Sequence, residues 1–244
     1  MERGSKMLTL EHIAWDIPDG ENIIQDISYT VGEGKLIVVT GPNGGGKTSL
    51  AKLIAGLEKP TSGRILFDGE DITDMDITGR AKKGIAYAFQ QPVRFKGLLV
   101  RDLLDLAAGE KLTESKLCVL LEKVGLCARE YIGREINAGL SGGEMKRIEI
   151  ATVLARKAKL SIFDEPEAGI DLWSFSKLVE TFQDIQREQE GTLLIISHQE
   201  RILEIADEIV VIAKGKVRTH GPKDEILPEL LAGEKRAACP LEKK

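Results

Sequence analysis

"GPNGGGKTS", Gly41 to Ser49, follows directly on the apolar run "KLIVVT" and leads into "LAKLIAGL". A chain that leaves a hydrophobic strand and spends four glycines, a lysine and a threonine on the next turn is building a place for an anion. The pattern Gly41-x-x-x-x-Gly46-Lys47-Thr48 has the spacing of a phosphate-binding loop. Glycines let the backbone bring several N–H groups to one point, here over Asn43, Gly44, Gly45 and Gly46. The following helix, opening at Lys47, Thr48 and Ser49, offers unpaired donors and its positive dipole end. The lysine suits β- and γ-phosphates, and the threonine hydroxyl suits Mg²⁺. Strand, loop and helix come in the required order, so the expected ligand is a nucleoside triphosphate.

Two further apolar runs end in chemistry. "LSIFDE" places Asp164 and Glu165 at a strand end, and "TLLIISH" does the same for His198. Open parallel sheets bind ligands outside the carboxyl ends of their strands. Asp164 is then placed to hold Mg²⁺ through water, and Glu165 to orient or deprotonate the attacking water. His198 is a candidate γ-phosphate contact, against the commoner structural role of a lone histidine.

Around these runs the chain reads as alternating strands and helices, which implies parallel βαβ units. "MLTLEHIAWDI", "IIQDISYTVGEGKLIVVTG" and "GRILFDGEDITD" read as strands with turns, one turn at Asp68-Gly69. "KTSLAKLIAGL" has helical spacing and stops near Gly56 and Pro60. Arg101 to Ala128 reads as helix, "LSGGEMKRIEIATVLARKA" as another, and Leu172 to Gln189 as a third. The 244 residues are 42% hydrophobic and 30% charged, enough for a sizeable core. The net charge of −5 does not point to nucleic acid or an anionic membrane. No run of about 18 apolar residues is present, so no membrane insertion is expected. "MERGSKM" lacks an apolar signal core, and Cys118, Cys127 and Cys239 show no metal-type pairing. A cytoplasmic chain is therefore expected, with Met7 as its native start and residues 1–6 an added leader.

"LSGGEMKR", Leu140 to Arg147, resembles the signature motif of ATP-binding cassette (ABC) ATPases. The order agrees: phosphate loop, a glutamine (Gln90) after an apolar strand, a helical stretch, the signature, then Asp-Glu. "AGID", ending in Asp171, resembles the family's D-loop, and His198 its switch histidine. The resemblance implies an α/β fold: a P-loop RecA-like core with a mostly parallel sheet, an N-terminal antiparallel β subdomain and an inserted α-helical subdomain. One ABC ATPase domain is expected over 7–228, with its helical part at about 92–147, and a loose tail over 229–244. The resemblance further implies ATP hydrolysis with Mg²⁺, Gln90 joining Thr48 and Asp164 near the metal and assisting Glu165. Trp15 lies where the family stacks an aromatic on adenine; a packing role is the other reading. Ser141, with Glu144 three residues on, forms a capping box. Gly142 and Gly143 leave the first donors of that helix free of side chains. In the family this helix end meets the nucleotide of a second subunit, as does the D-loop. With one loop and one signature, the chain needs a partner copy.

"REYIGREINAGLSGGEMKRIEI", "FQQPVRFKG" and "DEPEAGIDLWSF" further resemble SufC, the ATPase group of the SUF iron–sulfur cluster assembly system. That implies a SufB-like scaffold as partner, with a SufD-like protein in some organisms. Gly45, Leu140 and Ile148 depart from the usual SufC residues. The alternative is the nucleotide-binding subunit of an ABC membrane transporter. In either case the contact surface is expected between Gln90 and about Asp105, with Phe95 as its anchor.

Overall fold

The computed structural model describes residues 6–17, 20, 22–137, 139–188 and 191–237. The order is β1 (Lys6–Asp16), β2 (Asn22–Gly32), β3 (Leu36–Thr40), α1 (Lys47–Ala55), β4 (Ser62–Phe67), β5 (Glu70–Asp71), α2 (Ile77–Lys83), β6 (Ile85–Ala88), α3 (Val100–Ala108), α4 (Glu114–Lys123), α5 (Ala128–Tyr131), α6 (Gly142–Ala155), β7 (Leu160–Asp164), α7 (Leu172–Glu188), β8 (Thr192–Ile196), α8 (Glu200–Leu203), β9 (Glu208–Ala213), β10 (Lys216–Pro222) and α9 (Lys223–Ala237). The strands form one ten-stranded sheet in the order β5-β4-β1-β2-β10-β9-β3-β8-β7-β6.

The expected parallel core runs from β9 through β3, β8 and β7 to β6, with every pairing parallel. β3, β7 and β8 are buried at every position, as continuous apolar runs covered on both faces must be. The antiparallel strands β1, β2, β4 and β5 are not detached from it. β10 pairs antiparallel with β9 and touches β2 through one parallel pair, Lys216 with Asp26. The sheet as a whole is therefore mixed.

Two apolar clusters flank it. Leu50, Leu53 and Ile54 of α1 pack with Leu8, Ile13, Ile27 and Phe67 of the antiparallel half. On the other face, α3, α4, α6 and α7 pack through Leu104, Leu117, Ile148 and Phe182. Buried Arg80 of α2 closes the carboxyl end of α1, donating to Leu53 O at 2.5 Å and Ile54 O at 3.0 Å.

Two expectations change. The helix expected over Arg101–Ala128 is three pieces. Gly109, at φ 71°, ends α3, and the Thr113 side chain starts α4 by accepting from Lys116 N. The tail expected to loosen at 229 instead continues as α9 through Ala237, because Leu227 and Leu230 pack against the core. The rest of that tail, residues 1–5 of the expected leader, and Cys239 lie outside the described residues. The Asp68-Gly69 turn is as expected, with both residues at positive φ. No helix among the described residues is long and apolar enough to cross a membrane.

Candidate functional site

Because β3, β6, β7 and β8 run parallel, their carboxyl ends lie along one edge. This puts the loop after Thr40, Gln90, Asp164-Glu165 and His198 together. Gly41 stands at φ 128°, and a Cβ there would come within 2.0 Å of Ile212 O on β9. No other residue fits. At Gly45 a Cβ would meet Ile212 O and Pro42 O at 2.9 Å. Gly46 precedes α1 in the left-handed region, and no side chain caps the helix. The open helix end faces a cleft of about 450 Å³ lined by Asn43 to Ser49, Ile23, Gln90 and Glu165. Lys47 is buried and donates to Gly41 O (2.7 Å) and Pro42 O (2.9 Å). Burial lowers its pKa, while Glu165 and Asp164 pull it up.

Asp164 is buried at the end of β7. Its Oδ1 accepts from Thr48 Oγ1 at 3.1 Å and its Oδ2 from Tyr87 Oη at 2.9 Å. Burial raises its pKa, partly offset by those two donors. Among the described residues no cluster of three His, Cys, Asp or Glu side chains could hold a metal by itself. Two hard oxygen donors, Thr48 and Asp164, fit a Mg²⁺ whose remaining ligands are phosphate and water. Glu165 adopts φ 46°, a strained backbone for a non-glycine residue, and accepts from Gln90 Nε2 at 2.6 Å. The structure thus pairs Gln90 with Glu165 and Thr48 with Asp164.

His198 follows β8 with its side chain exposed. Its backbone N–H donates to Glu167, whose Oε1 also accepts from Ser197 Oγ at 2.6 Å. Burial raises the Glu167 pKa.

The signature residues stand at the start of α6. Ser141 and Glu144 form the expected capping box: Glu144 N donates to Ser141 Oγ, and Ser141 N to Glu144 Oε2 at 2.7 Å. Glu144 also accepts from Tyr131 Oη and from Arg134 Nη1, the latter at 3.2 Å. The Tyr131 hydroxyl, the cap donor and Arg134 hold its carboxyl down at about 2. Gly142 is open, whereas a Cβ on Gly143 would come within 2.7 Å of Gly169 O. That glycine lets the D-loop lie on the helix end. Asp171 caps α7, accepting from Ser174 N at 3.0 Å and Ser174 Oγ at 2.6 Å. Arg147 ties the same serine to α6 at 2.8 Å. Beside it, Leu172 and Trp173 are 68% and 84% exposed. Ser141, Gly142, Gly143, Asp171, His198 and Trp15 do not line the cleft. Trp15 sits on β1 opposite Ile24, half-buried against the core.

Sequence reasoning passed over Lys146 and Tyr87. Lys146 is buried within α6 and donates to Phe89 O, Gln90 O (3.4 Å) and Asp164 O (3.3 Å), with Glu149 at 3.6 Å. A lysine on the inner side of an apolar helix was the available signal. The expected contact segment is exposed at Val93, Phe95 and Leu99. Val93 and Phe95 line an apolar cavity of about 290 Å³ between β6, α2 and α6.

A family model described as "ABC transporter" matches residues 24–168. The chain is 39% identical over 212 residues to an uncharacterised ABC transporter ATP-binding protein of Methanocaldococcus jannaschii, spanning 84% of each. Among solved structures it is similar to cbiO1 of Clostridium perfringens, part of the ABC transporter complex cbiONQ. That match has a TM-score of 0.76 and 29% identity, and covers 95% of this chain and 94% of that one. A dimeric post-hydrolysis ATP-binding cassette bound to ADP and Pi shares the fold, with a TM-score of 0.79, 21% identity and coverage of 89% and 99%.

Proposed function

The chain belongs to the ABC transporter family of ATP-hydrolysing cassettes, and from that premise we propose that it is the ATPase half of a two-part machine. Two copies close on MgATP, and the closure drives a partner docked in the groove after Gln90. Residues 7–228 act as the ATPase domain, with the helical lobe at about 92–147, on the cytoplasmic side of any membrane.

The cleft performs the chemistry as follows. The open end of α1 takes the β-phosphate, and Lys47 exchanges its bonds to Gly41 O and Pro42 O for phosphate oxygens. Thr48, Asp164 and Gln90 would hold Mg²⁺, which would supply positive charge to the phosphate oxygens. Glu165 accepts the proton of the attacking water, and Gln90 holds that carboxylate in place. His198 contacts the γ-phosphate. Ser141, Gly142, Gly143 and Asp171 complete the site of the second copy, and Trp15 backs the adenine. The observation that carries this reading is the 2.6 Å Gln90–Glu165 bond beside the Thr48–Asp164 pair. Glu165→Gln is expected to lower turnover by about 10²–10⁴-fold while keeping ATP affinity. Lys47→Ala is expected to weaken nucleotide binding instead. Wild-type turnover by Glu165→Gln would overturn the assignment.

The names of the similar proteins, both of ABC transporters, favour a membrane transporter as the partner. One observation favours a second reading, the SUF scaffold. Within one of the segments that resemble SufC, Tyr131 and Arg134 are both bonded to Glu144. The charged residue in the signature is therefore supported by its surroundings rather than tolerated. Phe95 and Val93 offer either partner the same apolar hold. Co-purification with a SufB-like protein or with a permease decides between the two. Phe95→Asp should abolish the complex and spare ATP binding.

A further inference from the structure

Tyr87 belongs to two places at once. Its ring forms part of the wall of the apolar groove, beside Phe89, Val93 and Met145. Its hydroxyl crosses to the neighbouring strand and donates to Asp164 Oδ2 at 2.9 Å. We propose that Tyr87 is a positioning residue that sets the Asp164 carboxylate for Mg²⁺ and passes the packing state of the groove to it.

Three observations support the link. Tyr87 lies on β6 opposite Ile162 of β7, two positions before Asp164, so the hydroxyl reaches the carboxylate with no intervening side chain. The other carboxylate oxygen is taken by Thr48, so the two donors together fix the plane of the group. On the groove side, the Tyr87 ring meets Phe89 edge-on, with centroids 4.9 Å apart. Phe89 is the residue before Gln90, and its N–H is held by Glu149 at 2.9 Å. A body pressing on Phe89 therefore presses on the tyrosine whose hydroxyl holds the metal-site aspartate. Only the use of this link by a partner rests on the docking reading above.

Binding isotherms for ATP, with Mg²⁺ and with a chelator, test the proposal without turnover. Tyr87→Phe keeps the ring and removes the donor. The half-saturating Mg²⁺ concentration should rise about 10-fold or more, as for loss of a hydrogen bond to a charged group. Metal-free ATP affinity should stay within about twofold. Unchanged Mg²⁺ dependence, or an equal loss with and without metal, overturns the positioning role. For the link, Ala81→Trp fills the groove from α2. It should shift Mg²⁺ half-saturation by about threefold or more in the wild-type background and not in Tyr87→Phe, the signature of coupled residues. A shift that persists in Tyr87→Phe, or none in either background, overturns the link. Failure of the docking reading shows separately, as full partner retention by Phe95→Asp.

Discussion

Glu144 puts a charge at the start of α6, and its surroundings are built for it. Its folded pKa lies at about 2, below the ordinary 4.5. A lowered carboxyl pKa stabilises the fold above the ordinary value and loses that contribution as pH falls through the folded one. The wild type should therefore shed this stability between about pH 4.5 and pH 2. Glu144→Gln should be less stable at neutral pH by about 1–3 kcal/mol and show a flatter acid limb. Thermal melts across that range check both; parallel curves for the two proteins would contradict the account. The chemistry of single residues was largely readable in advance, because the loop, Asp164-Glu165 and the Ser141–Glu144 box are local patterns. Tyr87 and Lys146 were not. Their partners are Asp164, Phe89 and Gln90, brought to them only by the pairing of β6 with β7 and the seating of α6.

At the scale of elements, α1 starts on backbone geometry, with no side-chain cap, and finishes against a buried side chain. Its start depends on Gly41 lying against β9, and its finish on Arg80. Gly41→Ala should fail to bind ATP, since the 2.0 Å approach to Ile212 O cannot be relaxed by a rotamer. Arg80→Lys cannot reproduce the fork of donors to Leu53, Ile54, Thr73 and Met75. A loss of about 2–4 kcal/mol is expected from denaturant titration, the range of a buried charge stripped of partners. Element types were legible along the chain because apolar runs and helical spacing are strong signals. Boundaries in the helical lobe were not: the break at Gly109 and the restart at Thr113 look, in sequence, like polar helix surface. The end of α9 was missed for a related reason, since Leu227 and Leu230 gain their helix from the core they touch.

For the whole molecule the decisive expectation is pairing. Lys47 and Ser141 belong to one composite site only if two copies meet head to tail. The net charge of −5 on each chain opposes an idle pair. Sedimentation of Glu165→Gln should show monomer without nucleotide and dimer with MgATP; an unchanged dimer in both would count against the reading. Leu172 and Trp173 stand beside Gly169, which lies on the start of α6. The chain has two tryptophans, one wedged half out of water on β1 and one almost wholly bathed in it. Their fluorescence differs accordingly in colour and in access to a dissolved quencher. With Trp15 replaced by phenylalanine, which keeps an aromatic face for adenine, the remaining indole becomes a built-in dye beside the D-loop, and a blue shift on adding MgATP would make the approach of a second molecule visible in real time, with no label attached.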